Sequence, residues 1–187
     1  MTRFLLWLLG GVVLGGIIHI IVILALPTLA EQSLWGRVAS LDADNRMLIL
    51  PTVKAGEPNP LGLDPALAYG LCRVDLASGP AYVSGVLPDA FWSVALFNAS
   101  GIVTYSTTNR DGIGKTLELG IFNAAQTRLL AQQQLDIAEG LLVVESTSDQ
   151  LLVLVRLAPP HDAMRARFEQ ELSKVQCGTR QADSSGS

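Results

Sequence analysis

The stretch FWSVALFNASGIVTYST, residues 91–107, decides the fold. Aromatic and branched side chains fill 91–98 and 102–107, and such residues favour the pleated, half-buried surface of a sheet. Between them Asn98-Ala-Ser-Gly101 offers Asn and Gly, the residues that accept the positive φ angles of a tight hairpin. Two strands joined by a short turn are therefore expected. Outward in both directions the texture repeats at intervals of roughly ten residues, the spacing of a β-sandwich. Further strands are predicted at 68–76, 80–86, 117–122, 141–146 and 151–157, with Gly79-Pro80 and Leu87-Pro88-Asp89 as turns. Seven short strands so spaced predict a mainly β domain: an antiparallel β-sandwich or barrel hiding its inner faces from water.

Upstream lies a different kind of sequence. From Phe4 to Leu26 runs FLLWLLGGVVLGGIIHIIVILAL, apolar except for His19. As a helix it covers roughly 34 Å, enough to cross a hydrocarbon core of about 30 Å. A cleaved signal peptide is the rival reading, with Thr28-Leu29-Ala30 as the cut, but its apolar region should be only about 7–15 residues long. Arg3 at the short flank favours a cytoplasmic N-terminus. Gly11 and Gly15 form a small-xxx-small pair that would let two such helices meet in a homodimer. His19 calls for a hydrogen-bonding partner on another helix, or stays a buried neutral imidazole.

The domain plan is an anchor over 1–29, a short helix and Pro/Gly-rich linker over 30–64, the β domain over 65–177 and a polar tail over 178–187. Pro27 is expected to end the anchor, and Leu34, Val38 and Leu41 recur at helical spacing just after it. Pro51, Pro58, Pro60 and Pro65 resist both helix and central strand. Near the end Met164, Phe168, Leu172 and Val175 predict an amphipathic helix, with Arg165, Arg167, Glu169, Glu171 and Lys174 mostly on its wet face.

Chemistry is sparsely marked. A formal net charge of −4 without a basic stripe excludes nucleic acid as a partner. Asn109–Thr116, NRDGIGKT, nearly matches a phosphate-binding loop, but Asn stands where the first Gly is needed and LELGIF after it reads as a strand, so no nucleotide is expected. Only two histidines exist, His19 in the apolar span and His161 before the last helix, which leaves little room for a nucleophilic triad and none for a clustered metal site. No cofactor is implied. Asp64, Asp75, Asp111, Asp136 and Glu145 are carboxylates that only the fold could pair. Arg110 and Arg156, flanked by apolar residues, are candidates to bury their stems and pair with Asp75 or Asp111. Cys72 and Cys177 read either as a disulfide tying the C-terminal helix to the sheet, which would add about 4–5 kcal/mol in the chain-entropy model, or as two free thiols if the domain faces the cytoplasm.

The residues Phe91–Asn98, with Gly101-Ile-Val103, Asn109-Arg110 and Ile113-Gly114, resemble the bacterial families called domains of unknown function twelve-fifty-four and twelve-fourteen. LVLVRLAPP, from Leu152 to Pro160, is similar to their closing strand, so the resemblance covers roughly 65–160. It implies a jelly-roll-like sandwich and an envelope location, and it brings no catalytic residues. The ending departs from the twelve-fourteen pattern, placing a helix and Cys177 where an aromatic-rich segment is expected.

The expectation is thus a membrane-anchored, periplasmic, non-catalytic module that binds an envelope protein or a related sandwich domain. A hydrolase or lyase is the alternative. It would require Asp75, Arg110 and Asp111 to converge in a cleft.

Overall fold

The computed structural model describes residues 2–54, 56–110, 115–132 and 140–179 and divides into two units, Met1–Ser40 and Leu41–Ser187. The first is one helix, α1, Thr2–Ala39. Its Thr2–Leu26 portion is long and apolar enough to cross a membrane, and none of that portion is buried against protein. Pro27 ends the apolar span but not the helix. Proline forfeits one backbone bond to the preceding turn, and the helix continues through that single loss to Ala39, absorbing the separate short helix expected there.

The second unit contains β1 (Leu48–Ile49), β2 (Ala68–Asp75), β3 (Ala81–Val86), β4 (Trp92–Asn98), β5 (Val103–Thr108), β6 (Thr116–Asn123), α2 (Ala124–Gln132), β7 (Leu142–Ser146), β8 (Gln150–Leu157), α3 (Arg165–Ser173) and β9 (Gln176–Thr179). Two sheets result, ordered β1-β2-β8-β4-β5 and β7-β6-β3-β9. The seven expected strands are β2 to β8, each within a residue or two of its predicted ends. Every pairing is antiparallel except β6 with β7. That exception follows from the connection: β6 runs directly into α2, and a strand reached through a helical crossover can return in the same direction, which a tight hairpin forbids.

In the β4–β5 hairpin only Gly101 takes a positive φ, 76°. Asn98 acts through its side chain instead, its Oδ1 accepting the N–H groups of Ser100 (3.0 Å) and Ile102 (2.9 Å). Both sheets contribute to one apolar cluster: Val94, Leu96, Val153 and Val155 from the first, Val83, Leu119 and Ile121 from the second, and Phe168 and Leu172 from α3. The central strand β8 is largely covered on its other face too, with Leu152 buried and Leu154 and Arg156 partly so, which suits its nearly continuous apolar run. Helix α3 lies against β2 at Gly70, where a Cβ would come within 3.1 Å of Leu172.

Cys72 on β2 and Cys177 on β9 are bonded, with Cα atoms 6.4 Å apart. The bond joins one sheet to the other rather than a helix to a sheet, because Cys177 sits in a strand. Gly178 and Thr179, expected in a loose tail, belong to the same strand: β9 pairs with β3 from Ser84 to Ala81. Asn45 accepts hydrogen bonds from the N–H (3.1 Å) and hydroxyl (3.2 Å) of Thr179. Such short polar strands exist because their partners hold them.

Candidate functional site

A cleft of about 330 Å³ opens between the β3–β4 loop, the start of β6 and the face of α3. The loop is fixed by Leu87 N–H, which donates to the Lys115 carbonyl at 2.8 Å, so the end of β3 and the start of β6 form one wall. The other wall follows Pro160, where Met164 N–H bonds the His161 carbonyl at 2.9 Å in a 3-10 turn leading into α3. Buried Leu87 and Phe168 and half-buried Met164 form an apolar floor, with Pro88 and Pro160 at its edges.

Four charged groups stand on the rim: Asp89, Lys115, Arg167 and Glu171. Lys115 Nζ lies 3.1 Å from Asp89, both well exposed, so the pair contributes little stability and mainly cancels charge. Glu171 accepts two hydrogen bonds from Lys174 Nζ, each 3.0 Å. Each of the two rim carboxylates thus faces a lysine.

Among the described residues, Asp75 is not brought together with Arg110 or Arg156. Asp75 is exposed at the end of β2, where its Oδ1 accepts Ala77 N–H at 3.0 Å and caps a 3-10 turn. Its register partner is Gln150, whereas Arg156 stands six residues further along β8, about 20 Å away at strand rise. Arg110 follows β5 at the same end as Arg156 and is exposed. Asp111 lies outside the described residues. Arg156 Nε is buried and has no hydrogen bond among the described residues. Elsewhere on β2 an ion pair joins Arg73 to Asp44, Nε to Oδ1 at 2.7 Å.

Helical spacing puts Arg165 on the wet face of the last helix, but its side chain is 13% exposed. Its Nη1 donates to the Leu67 carbonyl at 3.0 Å, and its Nη2 to the Pro65 carbonyl. Prolines leave this segment few N–H groups of its own, and the guanidinium supplies donors to two of its carbonyls. His161 precedes the 3-10 turn without a side-chain capping bond. The near-match to a phosphate loop leads into strand β6, not a helix, and Gly112 and Gly114 lie outside the described residues. Asp64 caps Ala66 N–H at 2.8 Å, Glu145 is exposed on β7, and Asp136 is outside the described residues. No group of three His, Cys, Asp or Glu that could hold a metal occurs among the described residues. On α1, Gly11 lies in a shallow notch with Leu6, Trp7, Gly10 and Leu14, while Gly15 and His19 are exposed along the helix.

Sequence reasoning missed the cleft because its walls come from three distant segments and none carries a motif. A Leu-Pro-Asp turn and an i,i+4 Arg–Glu pair were the only local signs.

No protein-family model matches the chain, and neither does any curated protein. Among solved structures it is similar to the VPA0106 protein of Vibrio parahaemolyticus, with a TM-score of 0.51 and 13% identity over 70% of this chain and 29% of that one. An uncharacterized protein from Burkholderia cenocepacia gives a TM-score of 0.46 and 14% identity, over 73% of this chain and 34% of that one. The chain spans about a third of the length of these neighbours or less. The Vibrio likeness concerns fold, which by itself assigns no activity.

Proposed function

We propose that the protein is a single-pass inner-membrane protein with a cytoplasmic N-terminus, whose periplasmic β-sandwich, jelly-roll-like in character, is a non-catalytic binding or assembly module of the cell envelope. The observation that carries this reading is the cleft beside α3, with its apolar floor and its carboxylates each facing a lysine. The apolar span in α1 supports the tether, since such a surface is stable in hydrocarbon and costly in water. The bonded Cys72 and Cys177 support an oxidising compartment, because thiols in the cytoplasm are kept reduced. The sequence resemblance to the twelve-fifty-four and twelve-fourteen families belongs to the same proposal, as does a partner that is an envelope protein, a related sandwich domain or a second copy of this chain.

A photo-crosslinking residue placed at Val86, beside the cleft and exposed, tests the reading in intact membranes. One recurrent adduct identified by mass spectrometry is the expected result. Adducts as scattered as those from the same probe at Glu145 would overturn it. A topology reporter fused after residue 187, with thiol labelling before and after reduction, checks the compartment. Labelling without reductant would contradict the exported domain.

A further inference from the structure

Building on the reading of this cleft as a binding site, we infer that its ligand is an amphiphile: an apolar chain ending in an oxyanion, carboxylate or phosphate. The chain lies on Leu87, Met164 and Phe168, and the oxyanion meets Arg167. The assignment comes from which rim charges already have partners. Lys115 faces Asp89 at 3.1 Å. Glu171 stands one helical turn after Arg167, the position from which it would ordinarily pair with it, but both its oxygens are held by Lys174 Nζ. Arg167 forms no ion pair or side-chain hydrogen bond with another described residue. One unbalanced cation therefore stands beside an apolar floor.

Its chemistry narrows the ligand further. A guanidinium presents a planar fork of N–H groups that matches two oxygens of a carboxylate or phosphate. A cationic amphiphile would meet repulsion at that point, and a neutral one would leave the fork unused. The cleft's 330 Å³ sits near the lower end of small-molecule pockets, about 300–1,000 Å³. It suits a single chain of medium length, whether that of a free acid or one acyl chain of a lipid.

Met164 is a built-in reporter, and Met47, which packs beside Gly70 and is not part of the cleft, is its control. The full chain, labelled with 13C-methyl methionine and held in nanodiscs of phosphatidylcholine, is titrated with decanoate and with decanol. Decanoate is expected to shift the Met164 methyl saturably and leave Met47 in place, and decanol to bind about tenfold more weakly, as loss of a charge-assisted pair requires. Arg167→Gln should erase that difference, and Arg167→Lys should restore part of it. In a second arm, nanodiscs containing phosphatidylglycerol receive no free acid. A decanoate-like shift there points to a membrane lipid as the source, and a shift with decanoate alone to a free acid; either supports the inference. Equal affinity for decanoate and decanol, unchanged by Arg167→Gln, overturns the oxyanion head while leaving an apolar binding cleft intact. No Met164 shift with any probe overturns both.

Discussion

Leu14 on α1 and Leu119 on β6 are the same side chain in opposite circumstances, one 59% exposed and the other fully buried. The difference lies in their neighbours along the chain. Around Leu119 exposure alternates over residues 116–119, with Thr116 exposed, Glu118 half-buried and Leu117 and Leu119 buried, so this end of β6 has a dry side and a wetter one. Around Leu14 there is no wet side, and within Thr2–Leu26 none of the apolar surface meets protein. The length of the uninterrupted apolar run separates the two: Phe4–Leu26 is broken only by His19, whereas even β8, the most continuous strand, is eight residues long.

The contrast is tested most sharply by making one truncation in both places. Leu119→Ala should destabilise the β domain by about 2–5 kcal/mol, since a buried cavity is left behind. Leu14→Ala should leave that stability unchanged when urea unfolding is followed by the fluorescence of buried Trp92. Next in size is the covalent link, which α1 lacks and the domain has. Replacing Cys72 and Cys177 together by Ala should lower the urea midpoint by an amount worth about 2–4 kcal/mol, and reductant should then have no further effect. A charge inside the span probes the other side. Leu14→Arg should oppose membrane insertion by about 2.5–3.5 kcal/mol, read as increased extraction by alkaline carbonate with domain unfolding unaltered. The smallest effect belongs to the hairpin, where Gly101→Ala must hold a left-handed backbone at a cost of about 1–2 kcal/mol. Asn98→Ala in the same turn separates this strain from the loss of the side-chain caps.

Strands β2 to β8 were legible because each carries its own pattern of branched and aromatic residues between turn signals. β1 and β9 were not, for opposite reasons. Leu48-Ile49 is too short to show a period, and Gln176–Thr179 is polar and small, a strand only because β3, Asn45 and the bond to Cys72 hold it there. Helix α2 was missed as well, since AAQTRLLAQ buries no residue and so shows no dry face. Site residues were the least legible. The expected grouping of Asp75 with Arg110 or Arg156 failed on register, which places them at opposite ends of the first sheet. The cleft beside α3 depends on a loop-to-strand bond between Leu87 and Lys115, a tertiary fact that neither segment reveals alone.

The link between β2 and β9 also makes the domain sensitive to its own completeness. Cys72 emerges early and waits for a thiol 105 residues later, after every other strand has been made. A product cut or stalled ahead of residue 177 would carry an unmated sulfhydryl and a bare β3 margin. Those two marks would distinguish a finished molecule from an abandoned one wherever the surroundings favour oxidation.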